Sequence, residues 1–150
     1  MPIEGAVLQA DHRSPHTDDA VLQSGATVFT VAEAKAIVRR ITRAAASMDP
    51  DAIADLHTED CVVAFVQGPE LHGRLAVRDF MASRPRSGRV GYVCDKALRA
   101  MNGNVLCVLA TSAWTDRDTG KRMRTRGVEI FVLRGEEIAR TDGALNTWEE

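Results

Sequence analysis

The sequence has little of what marks specialised classes of protein. Aromatic residues make up only 5% of the chain, with a single tyrosine. The longest uninterrupted apolar stretch runs from Val105 to Ala110, far short of the roughly 18 residues of a membrane-spanning helix. The first residues lack a basic start followed by an apolar block, so we expect no secretory signal. A formal net charge of -2 provides no basic field, and we therefore expect neither a nucleic-acid nor a membrane partner.

Cysteines and cofactor motifs are equally uninformative. Cys61, Cys94 and Cys107 are odd in number, have no C-x-x-C spacing and lie in apolar segments. We expect buried, reduced thiols, hence a reducing compartment and a cytoplasmic protein. No phosphate loop, dinucleotide fingerprint or zinc-type spacing occurs. The sequence therefore predicts a protein without a cofactor or a metal.

Length and composition favour one globular domain. The chain has 150 residues, of which 45% are hydrophobic and 27% charged, which is ordinary for a single domain. Residues 1–28 are polar and have no period, which predicts a flexible or irregular N-terminal arm. Residues 29–150 are predicted to form a single α+β domain.

Three helices are predicted in the first part of this domain. Thr30 and Glu33 form a capping box, in which each side chain binds a free amide of the first turn. Asp49-Pro50 is a typical helix start, with an N-cap followed by proline. The third helix is predicted over Arg74 to Arg84, with its apolar side chains inward. The apolar stripe of the first helix consists of Ala34, Ile37, Val38, Ile41, Ala44 and Ala45.

Strands follow from Arg89, where the apolar period changes to two. Asn102-Gly103 predicts a hairpin turn, and the strand after it is apolar on both faces. We expect three helices followed by a four-stranded meander, with a short strand from Cys61 between the second and third helices. Strands that are apolar on both faces must be covered on both sides. The helices would cover one face and a second copy the other, which predicts a homodimer.

Three stretches resemble the SnoaL-like domains of the NTF2-like superfamily: SMDPDAIADLHTEDCVV, LHGRLAVRDFM and RGVEIFVLRGEEIARTD. The resemblance covers about residues 30 to 146. It implies a cone in which three N-terminal helices pack in a curved, mainly antiparallel sheet around an interior apolar pocket. Such proteins include ketosteroid isomerases, polyketide cyclases, epoxide hydrolases, dehydratases and non-catalytic binding modules, so the fold alone does not select an activity.

The resemblance also places the family's functional residues. The general-base Asp of ketosteroid isomerase-like proteins falls near Phe65, and their helix-one Tyr near Ile41. Their second, neutral Asp falls near Glu129, which is chemically similar. The Asp-Arg-Asp set of limonene epoxide hydrolase-like proteins is missing, which excludes that chemistry. Its three places fall near Ala110, Ser112 and Gly143.

Glu129 is the most informative polar residue, because it interrupts the apolar run from Val128 to Leu133. A carboxylate removed from water costs several kcal/mol unless it is paired or protonated. One interpretation is a catalytic acid or base that faces the pocket. The other is a carboxylate neutralised by an arginine.

The register of the last hairpin decides between these interpretations. With Arg134-Gly135 as the turn, Glu129 lies opposite Arg140 and forms an ion pair with it. With Gly135-Glu136 as a type II′ turn, Glu129 lies opposite Asp142, and two facing carboxyls could share one proton. The sequence leaves both registers open.

His57 is the second candidate. The pattern places it beside Ile53 and Leu56 on the buried face of the second helix. It is either a core histidine that bonds to the backbone or a proton shuttle at neutral pH. The substrate pocket is predicted to be lined by Phe65, Tyr92, Ser112, Trp114 and Phe131.

Two functions remain. One is a cofactor-independent acid/base enzyme of the isomerase, cyclase or dehydratase type, acting on a small apolar molecule. Glu129 would be its principal acid or base, with Asp142 and His57 as helpers. The alternative is a non-catalytic module of the same fold that holds a small ligand or takes part in an assembly.

Overall fold

A computed structural model describes residues 27–150, so most of the predicted N-terminal arm lies outside the described residues. Helix α1 spans Val31–Ser47, and the predicted capping box at its start is confirmed: Thr30 and Glu33 bond to each other's backbone amides. The buried side chains of α1 belong to the predicted apolar stripe. They are Ala34, Ile37, Val38 and Ile41.

Two shorter helices follow. Helix α2 spans Pro50–Ala54, and Oδ1 of its N-cap Asp49 accepts a hydrogen bond from the Asp51 amide at 2.9 Å. Helix α3 spans Arg74–Ala82, and a 3-10 turn over Arg86–Gly88 leads into the sheet. No helix within residues 27–150 is long and apolar enough to cross a membrane.

The six strands are β1 His57–Phe65, β2 Leu71–His72, β3 Arg89–Asn102, β4 Val105–Asp116, β5 Arg122–Arg134 and β6 Glu137–Glu149. They form one sheet in the order β2-β1-β6-β5-β4-β3, in which all neighbours are antiparallel except β1 and β6. The predicted α+β class is confirmed, but only two helices precede the first strand, because α3 follows β2.

The helical position predicted for His57 is wrong, because α2 ends at Ala54 and His57 begins β1. The spacing of Ile53, Leu56 and His57 fits a helix. However, the backbone there bonds to a distant strand: the Ile138 amide donates to the Leu56 carbonyl at 2.8 Å. Pairing with β6 thus overrides the local pattern.

The last hairpin uses one of the two predicted turns, yet neither predicted neighbour of Glu129 is correct. Arg134 pairs with Glu137, so Gly135-Glu136 is the turn, and the positive φ of Gly135, 60°, fits a type II′ turn. A bulge then shifts the register between Val132 and Leu133. Glu129 therefore lies opposite Gly143 rather than Arg140 or Asp142.

The hairpin between β3 and β4 shows a similar one-residue difference. Asn102 pairs with Val105, so the turn residues are Gly103-Asn104 rather than Asn102-Gly103. Gly103 supplies the positive φ, 58°. Asn104 is buried, and its side-chain amide donates to the Leu133 carbonyl at 2.7 Å. This bond ties the turn to β5.

The main core lies between α1 and the inner face of the sheet, and a smaller one joins β1 to α3 around Cys61, Val63 and Val77. The three cysteines are free, but only Cys61 is fully buried, whereas Cys94 and Cys107 are half-buried. The side chains from the sheet that pack on α1 include Leu106, Val108, Phe131, Leu133 and Ile138.

Candidate active site

A cavity of about 510 Å³ lies between the helices and the inner face of the sheet. This volume suits a small organic molecule. Its wall is mostly apolar, with side chains from all three helices and from the four long strands at the end of the chain. The five residues predicted for a pocket all line it: Phe65, Tyr92, Ser112, Trp114 and Phe131.

The alternation of side chains along each strand selects what faces the cavity. On β3 the inward residues are Tyr92, Cys94 and Lys96; on β6 they include Thr141 and Leu145. Helix α1 closes the opposite wall with residues of its apolar stripe. The cavity is therefore an apolar chamber with a few polar groups on the sheet side.

Glu129 faces this chamber from β5, where its carboxylate forms an ion pair with the ammonium of Lys96 on β3. Both side chains are more than nine-tenths buried, with 7% of Glu129 and 8% of Lys96 exposed. The Lys96 nitrogen also lies 6.0 Å from the centre of the Phe131 ring. Two charges are thus held in an apolar chamber, where their attraction is poorly screened.

Sequence reasoning missed Lys96, because a lysine usually extends into solvent from a strand. The signal was nevertheless present. Lys96 continues the two-residue period of Tyr92 and Cys94, which is the inward face of β3. A charge at that position requires a partner, and Glu129 is the acidic residue among those that line the cavity.

Asp142 is not part of this chamber. Its carboxylate forms two hydrogen bonds with the Arg140 guanidinium, at 2.7 and 2.8 Å, along the same strand. Because Thr141 between them faces the cavity, Arg140 and Asp142 lie on the opposite face of β6. The structure therefore does not bring Asp142 to Glu129.

His57 lines the cavity and is buried, with 6% of its surface exposed. Its Nδ1 lies 2.9 Å from the Ile53 carbonyl oxygen. Burial lowers the pKa of His57, the bond to Ile53 opposes this shift, and the nearby Arg74 charge adds to it. The imidazole is therefore neutral at physiological pH.

Tyr92 contributes a phenol to the same wall, where its ring centre lies 6.0 Å from that of Trp114. Burial, together with the neighbouring Cys94 thiol, raises the pKa of Tyr92 to about 12, while a hydrogen bond with Ser112 acts in the opposite direction. The phenol is thus a neutral donor or acceptor at physiological pH.

Thr141 adds a further polar group. Its hydroxyl is fully buried and has no hydrogen-bond partner within residues 27–150, although buried hydroxyls normally have one. Thr141 faces the cavity two residues before Gly143, the cross-strand neighbour of Glu129. Thr141 therefore lies on the same face of the sheet as Glu129, in the neighbouring row of side chains.

Phe65 and Gly143 bring two strands into close contact beside Glu129. A Cβ atom on Gly143 would approach Cε1 of Phe65 to 2.3 Å, so the ring fills the space that any larger residue would need.

Within the described part of the chain, no three His, Cys, Asp or Glu side chains are placed to hold a metal ion.

Solved structures share this architecture at low sequence identity. SalBIII, an epoxide hydrolase/cyclase-like enzyme in pyran ring formation in the polyether salinomycin, is 22% identical, with a TM-score of 0.64 over 78% of this chain and 97% of that one. An LEH-like epoxide hydrolase from M. tuberculosis is 17% identical, with a TM-score of 0.62 over 77% and 84% of the two chains.

A protein with a ketosteroid isomerase-like fold from Catenulispora acidiphila, solved in complex with trimethylamine, is 18% identical, with a TM-score of 0.63 over 71% of this chain and 82% of that one. At these identities the similarity establishes the fold. No curated protein matches the sequence. The sequence model of the SnoaL-like domain matches residues 38–141, more than half of the chain. The chain therefore belongs to the SnoaL-like domain family.

Proposed function

We propose that this protein is a cofactor-independent enzyme that moves a proton on a small, mostly apolar molecule, as in an isomerisation, cyclisation or dehydration. Glu129 is the proton acceptor. The observation that carries this proposal is the Lys96–Glu129 ion pair, which is buried on the wall of a mostly apolar cavity.

The energetics of the ion pair favour a functional role. Removing two charges from water costs several kcal/mol each, and apolar residues of similar volume often stabilise a fold as well as the pair does. The fold therefore does not require charges at positions 96 and 129. A charged pair on the wall of a cavity that can hold a small molecule is, however, well placed to act on that molecule.

Each partner of the pair has a distinct part in the proposed reaction. The Glu129 carboxylate takes a proton from a carbon next to a carbonyl group of the bound molecule. The Lys96 ammonium stabilises the negative charge that develops on the carbonyl oxygen. The protonated Glu129 then returns the proton to another atom of the bound molecule, so that the step needs no second acid. Neutral His57, whose Nδ1–H is directed at the Ile53 carbonyl, can only accept a hydrogen bond at Nε2. Asp142, bound to Arg140 on the other face of the strand, has no part in this scheme.

The relatives support an enzymatic role, since two of the similar structures are of an epoxide hydrolase/cyclase-like enzyme and an LEH-like epoxide hydrolase. The epoxide route does not fit this chain. The three places of the Asp-Arg-Asp set hold residues that cannot replace it. These are Ala110, Ser112 and Gly143.

Deuterium exchange tests the proposal without knowledge of the natural substrate. Small cyclic and aryl ketones are incubated in D₂O with the protein, and loss of the proton next to the carbonyl is followed by NMR. The wild-type protein should accelerate exchange of at least one ketone over buffer. Glu129→Gln should remove the acceleration with the fold intact. Glu137→Gln, a half-exposed residue bound to Arg74, is the matched control and should retain it.

The alternative is a non-catalytic binding module. Its supporting observation is that the Lys96–Glu129 pair is already neutralised internally, while the two other isomerase positions hold Phe65 and Ile41. Ketones that bind in the cavity without any accelerated exchange would favour this alternative.

We also propose that a second copy covers the outer face of the sheet. That face carries exposed apolar side chains from three strands. Asp95 and Arg126 lie on the same face, on either side of Thr111 in the ladder, and two copies related by a two-fold axis could pair these opposite charges. The exposed apolar residues of this outer face are Val93, Val128, Ile130 and Trp148.

A further inference from the structure

The charges that line the cavity are unequally distributed. Its wall holds three Lys or Arg residues, Arg84, Arg89 and Lys96, but one carboxylate, Glu129. Since Lys96 and Glu129 cancel and His57 is neutral, the lining carries two net positive charges. The whole chain, in contrast, has a net charge of -2. The cavity is thus a positive site in a slightly negative protein.

Arg89 supplies one of these charges from the start of β3. Its guanidinium carbon lies 4.4 Å from the centre of the Trp114 ring and 5.5 Å from that of Tyr92. Asp116 lies across the ladder from Arg89. Its carboxylate, however, accepts hydrogen bonds from the Asp118 amide and from the amide and hydroxyl of Thr119. The two aromatic rings, rather than a carboxylate, hold Arg89 in place.

Arg84 supplies the second charge from the residues after α3. Its guanidinium carbon lies 4.5 Å from the centre of the Phe80 ring. Within residues 27–150, neither Arg84 nor Arg89 forms an ion pair. A guanidinium that stacks on a ring keeps the N–H groups at its edge for a planar anion. Arg84 is exposed and Arg89 is half-buried, and both guanidinium groups lack an anionic partner among the described residues.

The opposite end of the cavity has different requirements. Tyr92, on whose ring Arg89 lies, and Lys96 are four residues apart on β3, a separation of about 13 Å along a strand. At the Lys96 end the buried Thr141 hydroxyl needs a hydrogen-bond partner. A ligand that complements both ends of the cavity has an anionic group at one end and a carbonyl or hydroxyl group at the other. An apolar body connects the two groups.

We propose that the substrate is an amphipathic organic carboxylate, an inference that rests on the proposed function and specifies its substrate class. The carboxylate binds Arg89 and Arg84. The apolar body lies between the helices and the sheet. The carbonyl or hydroxyl group lies at Lys96, Glu129 and Thr141, where the proton is moved.

Calorimetric titration with three ligands of nearly the same shape tests this inference: naphthylacetate, naphthylethanol and naphthylethylamine. The wild-type protein should bind the carboxylate at least about tenfold more tightly than the alcohol, since a hydrogen bond between two charged groups is stronger than one to a neutral hydroxyl. The amine should bind most weakly. Higher salt should weaken binding of the carboxylate only.

Substitutions locate the effect. Arg89→Met and Arg84→Met should each reduce the preference for the carboxylate, and the double variant should abolish it while binding of the alcohol persists. Arg99→Met is the matched control, because Arg99 is an exposed arginine on the same strand and should leave the preference unchanged. The comparison of the three ligands on the wild-type protein needs no variant to fold.

Equal affinity for carboxylate and alcohol, tighter binding of the amine, or no binding of the carboxylate would overturn the inference. So would a preference that survives loss of both arginines. These outcomes are independent of the exchange assay. If the protein exchanges ketone protons but does not prefer carboxylates, the proposed function stands and the substrate class is wrong. If it prefers carboxylates but exchanges no ketone proton, the proposed function is wrong, and amphipathic carboxylates are its ligands rather than its substrates.

Discussion

The ammonium of Lys96 and the carboxylate of Glu129 form an ion pair across the inner face of the sheet, and neither side chain keeps a tenth of its surface accessible. The two residues come from strands that are not adjacent, since β4 lies between β3 and β5. The pair therefore links β3 to β5 across β4 at the wall of the cavity. Substitutions of Lys96 and Glu129 should change both the free energy of unfolding and the rate of proton exchange, and the two quantities can be measured in separate experiments.

The ion pair gives the first prediction. Lys96→Met leaves a buried carboxylate without its partner, which should lower the free energy of unfolding by about 3–5 kcal/mol. Lys96→Met combined with Glu129→Leu should recover most of this loss, because neither charge then remains. Urea unfolding measures both effects. Lys121→Met, which breaks an exposed pair with Glu149, should cost no more than about 1 kcal/mol. A similar loss for Lys96 and Lys121 would contradict the burial of the pair.

His57 gives a prediction about pH. Because burial lowers its pKa in the folded protein, the unfolded chain binds a proton more readily, and stability rises with pH between the two pKa values. As pH falls below about 6.5, the ordinary value for histidine, the wild-type protein should lose up to about 1.4 kcal/mol per pH unit from this group.

Substitution tests that assignment. His57→Gln should remove its share of the pH dependence between pH 7 and 5.5, as seen by urea unfolding at a series of pH values. His72→Gln, at an exposed position beside Glu70, should leave the dependence close to that of the wild-type protein. Identical pH profiles for the wild-type protein and the His57 variant would show that His57 is not buried in its neutral form.

Tyr92 is the single tyrosine of the chain, so the ultraviolet absorbance of phenolate reports on it alone. In the folded protein its pKa is raised to about 12, mainly by burial, and the absorbance should not rise near pH 10, where free tyrosine ionises. Since the folded pKa is the higher one, this group's contribution to stability is present below pH 10 and is lost as pH rises towards 12. Ionisation near pH 10, with the circular dichroism of the folded protein retained, would contradict the buried position.

The outer face of the sheet gives a prediction about assembly. Ile130 is an exposed apolar residue in the middle of that face, so Ile130→Glu would place a charge inside a dimer interface. Light scattering after gel filtration should give the mass of two chains for the wild-type protein and of one chain for the variant. Leu75→Glu, at an exposed position on α3, should leave the mass unchanged. A wild-type monomer at micromolar concentration would refute the homodimer.

Local signals in the sequence predicted the helices well. Each of these signals involves only residues that are close together in the sequence. The capping box at Thr30 and the Asp49-Pro50 pair each mark a helix start, and the apolar stripe marks the buried face of α1. The turn at Gly135-Glu136 was also among the predicted alternatives, because it depends on one glycine with positive φ.

Long-range pairing was beyond the same reasoning. The bulge at Val132 and Leu133 has no local marker, yet its single extra residue on β6 changes the neighbour of Glu129 from Asp142 to Gly143. His57 lies in a strand because β6, distant in sequence, pairs with it. Lys96 is paired because β3, β4 and β5 lie side by side. Each of these features depends on which strands meet, and no short segment encodes that information.

The most direct test of the central claim, that Glu129 held by Lys96 accepts a proton from a bound molecule, is the rate of deuterium exchange by Glu129→Gln at a saturating ketone concentration. The account predicts a rate about 10²–10⁴-fold below that of the wild-type protein, with unchanged ketone affinity and circular dichroism. A variant that exchanges the ketone proton as fast as the wild-type protein would contradict it.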